Sequence, residues 1–279
     1  MYAGCSWWNA KGPRTIASTG ATCVCVRHRG AFPAVDVKVV LVLSGVAAFC
    51  ANCNGGTLSL VQQMFASLAC AVTLFSGWYL TALNSANFDN MLEDVATAIA
   101  YTRNHEDIST SNVILGGYSS GGHVLTSLLS RPDVLKAHEL PSVEDNLCDG
   151  VLLLSGVLGT SPPGTSSKPR WFTDFVVKSV WGSSSDTIPS PVHTMLDCKA
   201  GTKKKLPPHL LVGCGSETFG IPLLDTFFCR DEYAAAVTRA GGKADKITVD
   251  ANHWTVLDCD DLFNKLGGKF LDGWPMKLK

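Results

Sequence analysis

The chain has 279 residues, 23 Lys and Arg against 24 Asp and Glu, and a formal net charge of -1. That length is enough to bury the core of one full α/β domain. Without a basic excess, and with Lys203-Lys204-Lys205 as its one basic block, the composition argues against a nucleic-acid partner.

In chain order, the apolar runs Ala21–Arg27 and Val37–Leu43 read as strands, Leu58–Leu68 as a helix and Ala71–Phe75 as a strand. No charged residue lies between Lys38 and Asp89, and Phe65–Leu83 approaches the length and apolarity of a membrane span. Ser76-Gly77 interrupts it, however, and a buried parallel sheet with its crossover helix also yields long uncharged runs. The uncharged span is therefore read as sheet and crossover in a cytoplasmic protein, with membrane association as the alternative. The start of the chain also lacks a signal-peptide layout.

Asp89–Asn104 is a strong helix, with Met91, Leu92, Val95 and Ile99 at helical spacing. Val113–Gly116 is a strand, followed by a helix that Pro132 stops near Arg131. Val151–Leu154 is a short buried strand. The Ser-, Pro- and Gly-rich stretch Val157–Pro208 breaks the rhythm. Its aromatic piece Trp171–Trp181 suggests a lid-like insertion in which Trp171, Phe172, Phe175 and Trp181 close over an apolar group. Leu210–Val212 and Lys246–Val249 are strands on either side of a helix from about Asp225 to Ala240, and Val256–Leu266 is the last helix. Repeated strand–helix units predict one α/β domain over 1–279: a mostly parallel central sheet with helices on both faces and an insertion at about 157–208.

The eleven cysteines are an odd number, and no histidine stands at zinc-ligand spacing from any pair. They read as reduced thiols, with no metal site.

The chemistry centres on Gly117-Tyr118-Ser119-Ser120-Gly121, between the strand and the helix. A Gly-x-Ser-x-Gly turn there lifts the serine clear of the backbone at the positive end of the helix, the nucleophile-elbow pattern. Glycines on both sides are expected because the turn leaves no room for side chains. A serine needs a base to take its proton and an acid to hold that base. With such an elbow the chain order is serine, acid, histidine. His253, in the loop Asp250–Trp254 before the last helix, is the candidate base. His123 is expected to pack under the turn. For the acid, Glu217 is the one carboxylate in the loop after Leu210–Val212, and Asp225 is the alternative. Oxyanion donors are the backbone amides of Ser120 and of Gly45 and Val46, which follow an early strand.

These motifs resemble the α/β-hydrolases, in particular the esterase branch of the hormone-sensitive lipase and kynurenine formamidase type, near the prenylcysteine methylesterases. The resemblance runs from about Val37 to Leu266. It is carried by Gly117–Gly122, Leu92-Glu93-Asp94-Val95, Ser190-Pro191, the Pro-Pro-x-Leu entry at Pro207 to Gly215, Pro222 and His253. The family's His-Gly-Gly oxyanion motif falls on Ser44-Gly45-Val46, and its aspartate nearest Thr218, one position from Glu217. The resemblance implies a serine hydrolase cleaving a small to medium apolar carboxylic ester through an acyl-enzyme, without metal or organic cofactor. Arylformamidase activity on an N-formylkynurenine-type amide, prenylcysteine methylesterase activity and a degenerate non-catalytic hydrolase are the alternatives. The oligomeric state is left open.

Overall fold

The computed structural model describes residues 22–24, 26, 86–159, 177, 180–181, 188, 190–196, 206–216, 228–271 and 274. The expected strands at 37–43 and 71–75, the helix at 58–68 and the apolar run 65–83 lie outside these residues. Thr22–Val24 and Val26 belong to no strand, and Val24 and Val26 are exposed, contrary to the reading of 21–27.

Among the described residues, four strands form one parallel sheet in sequential order. They are β1 (Ile114–Tyr118), β2 (Gly150–Leu154), β3 (His209–Ser216) and β4 (Ala244–Asn252). Side chains alternate across a strand, so neighbouring apolar residues feed two separate cores. Val151 and Leu153 of β2 and Leu211 of β3 pack on one face. Leu152 of β2 and Leu210, Val212 and Cys214 of β3 pack on the other. Each of these leucines is almost wholly buried, which stabilises the fold by about 1.5–3 kcal/mol per side chain.

The first face is covered by α2 (Ser120–Leu129) and by α5 (Arg230–Arg239), whose Tyr233, Ala236 and Val237 join its core. The second is covered by the 3-10 turn Val256–Asp258 and by α6 (Asp260–Leu271), through Leu262 and Leu266. The result is a parallel sheet flanked by helices on both faces, an α/β-hydrolase-like architecture.

Helix α1 (Phe88–Asn104) starts at a reciprocal capping box. Asn87 accepts from the Asn90 amide at 2.9 Å, and the Asn90 side chain accepts from the Asn87 amide at 3.1 Å. It buries Phe88, Met91, Leu92, Ala96 and Ile99. Two shorter helices, α3 (Pro132–Ala137) and α4 (Pro191–Leu196), complete the described elements.

Several boundaries differ from the sequence reading. Pro132 does more than stop a helix: it opens α3 at the first turn, where its missing N–H costs nothing. Helix α5 starts at Arg230 rather than near Asp225, because Cys229 takes a left-handed φ of 45°. The last helix is broken at Cys259, whose extended backbone separates the 3-10 turn from α6. Trp181, expected in the lid, is instead a core residue at 2% exposure, packed edge-on against Phe88 and tilted against His123.

Candidate functional site

Strand β1 passes to α2 through a single residue, Ser119, with φ 53° and ψ -125°. A non-glycine residue is costly there, by about 1–3 kcal/mol, unless its surroundings hold it. They do. The Ser119 amide donates to the Leu154 carbonyl at 3.0 Å, and its carbonyl accepts from Gly122 and Val157, each at 3.0 Å. Serine at a helix N-cap usually satisfies a first-turn amide with its own oxygen. Ser119 makes no such side-chain bond. Its Oγ instead lies 3.0 Å from His253 Nε2.

The glycines of the turn have unequal roles. A Cβ on Gly117 would lie 2.7 Å from the Gly121 carbonyl oxygen and 2.7 Å from Gly122 Cα, so only glycine fits. Gly122 is also tight, 3.1 Å from Gly156 Cα, where α2 crosses the exit of β2. Gly121 is different: a Cβ there meets nothing within 4 Å among the described residues. Among the described residues, the close approaches that exclude a side chain are therefore at 117 and 122.

His253 follows β4 directly, since that strand runs to Asn252 and not just to Val249. The Asn252 side chain accepts from the Trp254 and Thr255 amides at 2.9 and 3.0 Å, folding the chain into a tight turn around His253. The Tyr118 hydroxyl donates to the His253 carbonyl at 2.6 Å, and the two rings stack at 5.2 Å. Phe228 and Trp254 each place a ring 5.2 Å from the imidazole. Burial, then the neighbouring Cys214, push the Tyr118 phenol above its ordinary range, so it stays a donor. Ser119 and His253 are 2% and 0% exposed.

The second imidazole nitrogen, Nδ1, lies 3.0 Å from Ser155 Oγ. Ser155 follows β2 directly and has a left-handed φ of 44°. The Cys214 sulfur lies 3.6 Å from the same oxygen. Sequence reasoning missed Ser155, Tyr118, Phe228 and Cys214. A serine directly after an apolar strand next to the elbow strand was the available signal for the first.

Ser120 opens α2 directly after Ser119. Glu217, Asp225, Gly45 and Val46 lie outside the described residues, so the structure does not place them beside the pair. His123 packs under the turn as expected. It is wholly buried, with Nδ1 3.2 Å from the Val157 carbonyl, and burial lowers its pKa to about 3.

No family model matches the chain, and no curated protein does. Solved structures with a similar chain path include esterase B from Lactobacillus rhamnosis, at 12% identity and TM-score 0.49 over 67% of this chain and 61% of that one. A thermophilic esterase from Thermogutta terrifontis, with butyrate bound, has 20% identity and TM-score 0.47 over 70% of this chain and 69% of its own. An esterase from Pyrobaculum calidifontis has 13% identity and TM-score 0.47 over 67% of this chain and 62% of its own. The chain thus spans less than two thirds of the Lactobacillus enzyme's length.

Among the described residues, no group of three or more His, Cys, Asp or Glu side chains is arranged to hold a metal ion. Among the same residues, no helix is long and apolar enough to cross a membrane.

Proposed function

We propose that the protein is a serine hydrolase that cleaves a carboxylic ester through an acyl-enzyme. The observation that carries this reading is the 3.0 Å approach of Ser119 Oγ to His253 Nε2, at the C-terminal edge of a parallel sheet and on a strained one-residue elbow. Ligands of such sheets sit at that edge.

In this mechanism His253 Nε2 takes the Ser119 proton as Oγ attacks the ester carbonyl. The tetrahedral oxyanion is received by the Ser120 amide, with Gly45 and Val46 as the further donors. His253 then returns the proton to the leaving alcohol. Water, activated the same way, releases the acid and regenerates Ser119. Glu217, with Asp225 as the alternative, is the proposed carboxylate behind His253. Burial of the pair keeps bulk water from the oxyanion.

We assign the substrate as a small to medium apolar ester, with Trp171, Phe172 and Phe175 of the insertion at about 157–208 closing over it. The whole chain, 1–279, is taken as one domain of the lipase- and formamidase-like esterase branch. A cytoplasmic setting, which the reading of the cysteines as reduced thiols suggests, is part of the same proposal. The test is a series of p-nitrophenyl esters from acetate to decanoate, run beside an N-formyl aromatic amine and a prenylcysteine methyl ester. Turnover that peaks at a short or medium chain supports the reading. Preference for the formamide or the prenylcysteine ester moves the assignment to that substrate, and inactivity on every ester sinks it.

A further inference from the structure

Two of the non-glycine residues with left-handed φ, Ser119 and Ser155, stand at the C-terminal ends of the adjacent strands β1 and β2. Both are buried, and each places its Oγ 3.0 Å from a different nitrogen of the same imidazole. Backbone strain at one of these positions is explained by the elbow. The second stands at the bend that directly follows β2. The Ser155 amide still donates to the Val212 carbonyl of β3 at 2.8 Å, so the chain leaves the sheet only after this residue. Strain of this kind, about 1–3 kcal/mol per residue, persists where the surroundings over-determine it, and it gathers at functional sites.

We propose that Ser155 is a positioning residue that holds His253 in the tautomer required for proton transfer from Ser119. The inference rests on the hydrolase reading for its consequence in turnover, but its structural content stands apart from it. The neutral imidazole carries one N–H. If that proton sits on Nδ1 and donates to Ser155 Oγ, the Nε2 lone pair faces the Ser119 hydroxyl, which donates to it. If the proton sits on Nε2, Ser119 faces a donor and cannot be deprotonated by it. The Ser155 hydroxyl oxygen has two acceptor sites. The Cys214 sulfur lies 3.6 Å from this oxygen, and with the hydroxyl proton turned toward that sulfur an Oγ lone pair is left for Nδ1–H. When Nε2 takes the Ser119 proton, the same oxygen keeps accepting from Nδ1–H of the imidazolium. Ser155 therefore supplies orientation without charge, and its action is compatible with a carboxylate acting on the same ring.

The experiment is performed on the full chain. The imidazole ¹⁵N resonances of His253 are recorded at pH 8 in the wild type, Ser155→Gly and Ser155→Ala, and kcat and KM for an activated ester are measured on the same samples. Glycine adopts φ 44° without strain, so Ser155→Gly removes the hydroxyl and leaves the backbone at ease. Should Ser155→Ala fail to fold, the glycine variant alone decides.

The wild type should show a protonated Nδ1 and a bare Nε2. Both variants should lose that bias, with faster solvent exchange of the Nδ1 proton. kcat should fall about tenfold or more with KM little changed, as expected for loss of one buried hydrogen bond that serves the proton transfer. An unchanged ¹⁵N pattern in Ser155→Gly would overturn the inference whatever the activity. A changed pattern in a protein that turns over no ester would support the positioning role and sink the hydrolase reading.

Discussion

Acid should destabilise this fold well above the carboxylate range, because two histidines are buried neutral. His123 is 0% exposed and His209 is 1% exposed. Burial lowers their pKa values to about 3 and about 4, despite hydrogen bonds to the Val157 and Pro207 carbonyls. In the unfolded chain both titrate near the ordinary value of about 6.5. Both folded pKa values are therefore depressed, and below pH 6.5 the unfolded state binds the extra protons. Stability is intact above pH 6.5 and falls as the pH drops, until the folded pKa is reached. Each histidine costs about 1.4 kcal/mol per pH unit in that window, or about 2 kcal/mol each at pH 5. Together that is about 4 kcal/mol, a large share of the roughly 5–15 kcal/mol that holds a domain together. Asp133, held at about 2 by its bond to Arg131, contributes only at lower pH. Urea denaturation at pH 7, 6 and 5 should show the midpoint falling across this range. In His123→Asn, an amide can still donate to the Val157 carbonyl and does not titrate. That variant should be weaker at pH 7 yet lose about 2 kcal/mol less between pH 7 and 5. A variant whose pH slope equals that of the wild type would refute the reasoning for His123.

Gly117→Ala should destabilise by about 1–3 kcal/mol or prevent folding, since its Cβ meets backbone at 2.7 Å; a thermal melt checks this. Tyr118→Phe keeps the ring stack but removes the donor to the His253 carbonyl, and should cost about 1–3 kcal/mol in urea unfolding, with lower kcat on an activated ester. Asn87→Ala breaks the capping box of α1 and should cost about 0.5–2 kcal/mol in urea unfolding without changing kcat.

The parts of the fold that periodicity encodes were legible in the sequence. Strand β2 and the core of β3 are short apolar runs, β4 alternates polar and apolar residues, and the elbow announces itself through Gly117 and Ser119. The position of His253 follows from the ordering of strand ends. What escaped was set by tertiary contact. Trp181 sits in a Ser- and Pro-rich stretch that looks like surface, yet its ring packs against both Phe88 and His123, which also touch each other. Ser155 follows an apolar strand as any small residue can, and only the adjacency of β1 and β2 brings it to the same imidazole as Ser119. The start of α5 was misjudged because nothing in the composition around Cys229 signals its left-handed backbone.

The central claim is that Ser119 is a nucleophile activated by His253. The most direct measurement is intact and peptide mass spectrometry after incubation of the folded protein with a serine-directed fluorophosphonate. One adduct is expected, on the peptide that carries Ser119, absent in Ser119→Ala and formed at least about a hundredfold more slowly in His253→Ala, because nucleophile and base act as a unit. No adduct on the folded wild type, or an adduct that persists in Ser119→Ala, would contradict it.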